Sequence, residues 1–226
     1  NKKNLNSSQK KLLADVLQGF KLSGVHLAPK QRKLFRDSQE KLANLESNFE
    51  QNILDSTNSW SKNYKTEKIL KGMPKNSLEI ASEVAAIRKQ DGFTLTLDQP
   101  CYMAVMTYAE SQALRKTFYL AYASRASNKF PLKGNWDNTN NIAEILSLRQ
   151  TIANILGYKN FAEYSLATKM AKSTQQVIDF LNNLKVKAIG KSKEEMVVLK
   201  KYAKKKLNIK IINPWDLAYV SEKYKK

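Results

Sequence analysis

The sequence is poor in the residues that metal and redox sites need. Its 226 residues contain one histidine, His26, and one cysteine, Cys101. A catalytic zinc site needs two histidines one helical turn apart, a glutamate between them and a further ligand, so this chain cannot supply such a site. With one cysteine an intramolecular disulfide is impossible, which is typical of a reducing compartment. We therefore predict a cytoplasmic protein without a metal site of its own.

Long apolar runs are also absent. No run reaches the roughly 18 residues that span a bilayer. The opening residues, Asn1-Lys2-Lys3-Asn4, have no apolar segment behind them, so we expect no signal peptide. Because the sequence does not begin with methionine, we also expect that residues precede Asn1.

Glycine and proline are scarce, at seven and five residues, and the long uninterrupted segments between them predict helices. Apolar spacing predicts one helix over residues 6–20 and another from Pro29 to about Ser59. The second has an apolar stripe that suits either a coiled coil or a helix packed on its neighbours, and the lack of a strict heptad favours packing. The stripe consists of Leu42, Leu45, Phe49, Ile53 and Trp60.

One segment alternates apolar and polar residues as a strand does. It covers Phe93 to Leu97, between Asp91-Gly92 and Pro100. A single strand would leave its backbone groups unpaired, so we expect residues 60–65 to be its partner, with a helix over 78–87 between them. The rest of the chain predicts helices over 102–110, 113–125, 142–157, 173–206 and from Pro214 through Tyr219.

Several residues predict how these helices begin, bend and end. A turn is expected over Pro131 to Asn135, and Asp137 or Asn138 is expected to cap the following helix by accepting its free N–H groups. Ser173 with Gln176 resembles a capping box. Gly157 is expected in the left-handed cap, and the long helix that follows is expected to ease or kink near Gly190.

The net charge of +19 invites a nucleic-acid interpretation. The excess is lysine, which is a solvated point charge, whereas arginine reads guanine and grips phosphate with a planar fork. A cluster of lysines at the end of the 173–206 helix suits the negative end of the helix dipole, so a solvated helix end is favoured over a nucleic-acid patch. The cluster consists of Lys200, Lys201, Lys204, Lys205 and Lys206.

Other catalytic patterns are equally weak. His26 lies in a short linker before Pro29 and is expected to be a surface or packed residue. Glu194 and Glu195 are adjacent, and adjacent residues on a helix do not face each other. Cys101 is expected to pack as a small apolar residue, since His26 alone could serve it as a base. No Gly-x-Ser-x-Gly elbow or glycine-rich phosphate loop occurs. We therefore assign no catalytic and no metal residue, and the residues that contact substrate stay unknown.

An ordered series of short motifs nevertheless resembles the thimet-oligopeptidase family of zinc metallopeptidases. The series covers most of the chain, from Phe20 onward. Its blocks are Phe20-Lys21-Leu22-Ser23-Gly24, Gly72-Met73-Pro74, Thr96-Leu97-Asp98, Val105-Met106-Thr107-Tyr108, Ala113-Leu114-Arg115, Tyr122-Ala123-Ser124-Arg125-Ala126, Trp136-Asp137-Asn138, Leu148-Arg149, Leu156-Gly157-Tyr158, Ser165-Leu166-Ala167-Thr168 and Pro214-Trp215-Asp216-Leu217-Ala218-Tyr219.

The resemblance implies a mainly α fold: a multi-helical lobe like that of neurolysin and thimet oligopeptidase, with at most a small two-stranded β element. Residues 1–226 would form one helical region, the N-terminal lobe plus the start of the catalytic domain, and the zinc-binding part would be absent. The implied function is a non-catalytic fragment that contributes channel wall and scaffold to a zinc-dependent oligopeptidase of short peptides. Its implied partner is the missing catalytic part of the same polypeptide.

The alternative is a stand-alone basic helical module that binds nucleic acid or sequesters peptides. The motif residues themselves suggest structural roles. Arg115, Arg125 and Arg149 are expected to pair with acidic groups between helices rather than with peptide carboxylates. Trp136-Asp137-Asn138 is expected to start a helix. Trp215 and Tyr219 are expected to pack inside, with the Tyr219 hydroxyl at the edge.

Overall fold

The computed structural model describes residues 5–132, 134 and 136–225, and this part of the chain is mainly helical. It forms nine α-helices and one two-stranded sheet, which confirms the predicted fold class. The helices are α1 (Ser7–Leu22), α2 (Pro29–Ser59), α3 (Lys75–Ile87), α4 (Gln99–Tyr108), α5 (Gln112–Ala123), α6 (Thr139–Ile155), α7 (Phe161–Leu166), α8 (Thr174–Lys206) and α9 (Leu217–Lys225), and the strands are β1 (Ser61–Tyr64) and β2 (Phe93–Thr96). None of the described helices is long and apolar enough to cross a membrane.

The first two helices lie where the sequence predicts them. The side chain of Asn6 accepts the N–H of Gln9, and the side chain of Gln9 accepts the N–H of Asn6, so α1 begins with a full capping box. Helix α2 starts at Pro29 and runs to Ser59. Its predicted apolar stripe is half-buried along the helix, and Trp60 is buried just beyond its end.

The predicted strand pair is also confirmed. Strands β1 and β2 are antiparallel, with Ser61 opposite Thr96 and Tyr64 opposite Phe93. Gly92, at φ 88°, makes the turn into β2, and a Cβ there would lie 2.3 Å from the Tyr64 carbonyl oxygen. The turn therefore requires glycine at this position.

The boundaries of α4 and α5 differ from the prediction of 102–110 and 113–125. Helix α4 begins at Gln99 because Pro100 occupies the first turn, where its missing N–H costs nothing. Pro100 had been predicted only to end the preceding strand. Helix α5 stops at Ala123, and Ala126 then adopts φ 49° and donates its N–H to the Ser56 hydroxyl at 3.2 Å.

Helix α6 is capped as predicted. The Asp137 carboxylate accepts the Thr139 N–H at 3.0 Å and its hydroxyl at 2.6 Å. The Thr139 hydroxyl and then its N–H hold the pKa of Asp137 below its ordinary value. The helix ends near Gly157, which has φ 84° as expected of a left-handed cap. The predicted turn over 131–135 includes residues 133 and 135, which lie outside the described part of the chain.

Of the remaining elements, some agree with the prediction only in part and two were not predicted. Helix α8 is continuous through Gly190. Ser173 caps it by accepting the Gln176 N–H at 3.1 Å, but the Gln176 side chain accepts the Lys172 N–H, so the capping box is only half formed. The segment from Pro214 is a short 3-10 turn that leads into α9. Helix α7 and a 3-10 turn over Glu67–Leu70 were not predicted.

The chain forms two compact units, and their borders fall within or beside long helices. The first unit comprises Asn1–Phe49 and Asn140–Val186. Its core is small and is formed by Leu27, Phe35 and Ile152 with partly buried neighbours such as Tyr164. Gly24, at φ 75°, lets the chain turn between α1 and α2, because a Cβ there would lie 2.9 Å from Leu27 Cδ1.

The second unit comprises Glu50–Thr139 and Lys187–Lys226 and contains two cores. The larger core surrounds Phe118, which is fully buried and meets Trp60 edge to face with ring centroids 4.8 Å apart. The smaller core joins the end of α8 to α9 through Ala203, Tyr219 and Val220.

Candidate functional site

The residues that could carry ordinary catalytic chemistry are isolated in the structure. His26 is exposed in the segment after α1, and Glu194 is exposed on α8 with Lys191 as its ion partner at 3.5 Å. Cys101 is half-buried on α4, and burial raises the pKa of its thiol, which lowers its thiolate fraction near neutral pH. Among the described residues, no three His, Cys, Asp or Glu side chains are grouped so that they could hold a metal ion. Residues 5–132, 134 and 136–225 therefore do not fit a zinc centre.

The strongest polar constellation is a buried ion pair between α5 and the turn before α9. Arg115 Nη2 donates to Asp216 Oδ1 at 2.7 Å, and both side chains are fully buried. Arg115 Nη1 donates to the carbonyl oxygens of Ala109 and Glu110 at 2.6 and 3.1 Å. The guanidinium therefore also holds the loop between α4 and α5. Its ion pair with Asp216 confirms the predicted pairing of Arg115 with an acidic group.

The Asp216 carboxylate is equally well satisfied. Its Oδ2 accepts from the Gln112 side chain at 2.7 Å, from the Asn213 N–H at 3.1 Å and from the Asn213 amide group at 3.2 Å. Arg115 Nε closes the arrangement by donating to the Trp215 carbonyl at 3.2 Å. We call Arg115, Asp216, Gln112 and Asn213 the α5–α9 clamp. Because the charged groups of Arg115 and Asp216 bond to other groups of the protein, we assign the clamp the role of holding the turn before α9 in position against α5.

Tyr219 and Trp215 pack against this clamp. The Arg115 guanidinium carbon lies 4.1 Å above the Tyr219 ring, and Tyr219 is buried. Burial, and then the carboxylate of Glu110, raises the pKa of Tyr219. Trp215 is half-buried, and its indole N–H is buried without a hydrogen-bond partner among the described residues. Tyr219 is therefore inside as predicted, whereas Trp215 is only partly buried against the larger core.

The other two arginines behave differently from each other. Arg149 Nη2 pairs with Glu46 at 2.7 Å across α6 and α2, as predicted, but both side chains are more than a third exposed. Water screening limits such a pair to a modest contribution. Arg125 has no acidic partner within the described residues: it donates to Thr57 and to the Tyr122 carbonyl and stacks 3.5 Å over the Tyr122 ring. For Arg125 the prediction of an acidic partner was wrong.

The Trp136-Asp137-Asn138 motif is a helix start, as predicted. Trp136 meets Phe130 with ring centroids 6.1 Å apart, and Asp137 caps α6. Asn138 is buried, and its Oδ1 accepts from the Asn52 side chain at 2.9 Å. The motif thus joins α2 to the segment before α6.

Sequence reasoning missed an open cavity of about 620 Å³, which we call the α3–α4 groove. Residues of α3, β2 and α4 line it. Small side chains leave the space, since Ser77 and Ala81 line it from α3, and Cys101 and Ala104 from α4. Their spacing of three or four residues on each helix is a signal that could have indicated the groove. Asp98, just before α4, also lines it.

Comparison with known proteins identifies the family. The model of peptidase family M3 matches residues 105–226, more than half of the chain. The chain belongs to peptidase family M3. The matched segment includes every residue of the α5–α9 clamp.

Several M3 relatives align along nearly the whole chain. Oligopeptidase A of Salmonella typhimurium is 42% identical over 221 residues, which is 98% of this chain. Oligopeptidase A of Escherichia coli is 41% identical over the same length, and a probable cytosolic oligopeptidase A of Arabidopsis thaliana is 32% identical over 228 residues. The chain spans 32% of the length of each of these relatives.

Proposed function

We propose that this chain is the non-catalytic part of an M3 peptidase similar to oligopeptidase A, and that it supplies scaffold and part of the wall of a peptide channel. The observation that carries the proposal is the 42% identity over 98% of the chain to a protein named for peptide cleavage, of which the chain spans 32%.

Residues 1–226 would then be one helical region of the parent enzyme, the N-terminal lobe with the start of the catalytic domain. Zinc would be held by the intact enzyme and not by these residues, so we derive no catalytic step from them. The α5–α9 clamp would hold the turn at Pro214–Asp216 against α5, so that the segment after α8 has a fixed position. The lone cysteine and the relative named as cytosolic support a cytoplasmic location.

Short peptides and added zinc test the proposal on the chain alone. We expect no hydrolysis by the purified chain, because it lacks the ligands that would hold zinc and activate water. Oligopeptidase A of Salmonella typhimurium serves as the active control in the same assay. Turnover by the pure chain that zinc supports and a chelator abolishes would contradict the proposal.

A second candidate is a basic helical module that binds nucleic acid. The observation in its favour is the exposed lysine cluster at the end of α8, in a chain of net charge +19. That function predicts affinity for DNA or RNA that falls steeply with salt. Filter binding of the same preparation at low salt separates the two candidates, since the peptidase proposal requires no such affinity.

A further inference from the structure

The α3–α4 groove has the character of a ligand site. Its volume of about 620 Å³ lies within the usual range for small-molecule sites, which are mostly apolar with a few convergent polar groups. Two of its lining residues, Ala81 and Ala104, are buried. Ile80 and Met103 lie on its lining with 58% and 49% of their surface exposed, so each has apolar surface left to cover.

The charge of the groove is opposite to that of the chain. In a protein of net charge +19, the groove has one charged lining residue among those described, and that residue is the carboxylate of Asp98. The Thr96 hydroxyl donates to Asp98 Oδ1 at 2.6 Å and so orients the carboxylate. No described lysine or arginine lines the groove. A ligand that complements it therefore combines an apolar body with a positive charge.

We propose that the α3–α4 groove binds the N-terminal residue of an unfolded peptide, with the ammonium group on Asp98 and an apolar side chain between Ile80 and Met103. Anionic ligands are disfavoured because the carboxylate repels them and no cation compensates. A second copy of this chain is disfavoured by its own charge of +19.

The lining and the charge of the groove do not depend on a zinc centre. Only the choice of a peptide as the source of the ammonium rests on the proposed function. A binding measurement on the chain alone involves no turnover, so failure to bind would leave the hydrolysis experiments unaffected.

Methionine-methyl NMR tests the site with the peptide Leu-Gly-Gly at pH 6.5. With five methionines in the chain the spectrum is simple, and the Met103→Leu variant assigns the Met103 signal. We expect the Met103 methyl resonance to shift saturably with added peptide. Met170, 99% exposed and outside the groove, is the internal control and is expected not to shift.

Two changes remove the ammonium–carboxylate contact. N-acetyl-Leu-Gly-Gly lacks the ammonium, and the Asp98→Asn variant lacks the carboxylate. Each is expected to weaken binding roughly twofold to fivefold, the range of an exposed ion pair. Asp91→Asn is the matched control, because Asp91 is exposed beside β2 but does not line the groove. An unchanged Met103 resonance in ligand-free Asp98→Asn shows that the groove is intact.

Three results would overturn the proposal. One is a Met103 resonance that does not move at millimolar Leu-Gly-Gly. Another is equal binding of the free and acetylated peptides, or equal binding by Asp98→Asn and Asp91→Asn. The third is isopentylamine binding as tightly as the peptide, which would show that the groove recognises an apolar amine and not a peptide.

Discussion

Replacing Arg115 with methionine is expected to lower the free energy of unfolding of the second unit by roughly 3–5 kcal/mol. The variant keeps much of the side-chain volume but leaves the buried Asp216 carboxylate without its counter-charge. It also removes the donors to the carbonyls of Ala109, Glu110 and Trp215. Urea unfolding followed by tryptophan fluorescence measures the effect, since all three tryptophans lie in this unit.

Two further variants make the Arg115 result specific. Arg88→Met, in the same unit, removes an exposed arginine that donates to the Ser61 hydroxyl, and is expected to cost less than about 1 kcal/mol. The double variant Arg115→Met with Asp216→Leu is expected to be more stable than Arg115→Met alone, because no buried charge is left unpaired. If Arg115→Met cost no more than Arg88→Met, the α5–α9 clamp would not be a stabilising element.

Truncating Phe118 to alanine is expected to cost about 3–5 kcal/mol, the usual range for a buried aromatic residue. Phe118 is fully buried in the larger core, and its loss would leave a cavity against Trp60, whose ring centroid is 4.8 Å away. The same urea experiment measures this loss, and Trp60 emission is expected to shift toward that of a more solvated indole.

The matched control for Phe118 is Leu120→Ala, two residues further along α5. Leu120 is 50% exposed, so its truncation is expected to change stability by only about 0.5 kcal/mol. Equal losses for the two variants would mean that α5 does not bury the face assigned to it.

The sequence predicted those elements whose local signals agree with their tertiary environment. Pro29 opens α2, and the apolar stripe along it is half-buried to buried in the fold. The alternation over Phe93–Leu97 together with the need to pair backbone groups was enough to identify both strands. The predicted start of α4 was wrong because a proline such as Pro100 can either end a strand or begin a helix, and the residues around it are compatible with both. Helix α7, with six residues, was too short to show periodicity.

The sequence predicted that the motif arginines of the candidate site would pair with acids, but it did not identify the partner residues. A motif arginine is expected to find an acid, yet Asp216 is 101 residues from Arg115, and nothing local identifies it as the partner. The same expectation was wrong for Arg125, which donates hydrogen bonds to a hydroxyl and a carbonyl and stacks over a tyrosine ring. The α3–α4 groove depends on how two helices with small side chains lie against β2, which is a tertiary property.

The proposed role of this chain as scaffold of an M3 peptidase can be tested with one chimera. In the chimera, this chain replaces the third of Salmonella typhimurium oligopeptidase A to which it is 42% identical. We expect the chimera to cleave short peptides in a chelator-sensitive way, whereas this chain alone is expected not to. A chimera that folds and binds zinc but hydrolyses no peptide would show that this chain is not interchangeable with the scaffold of that enzyme, and the proposed role would be wrong.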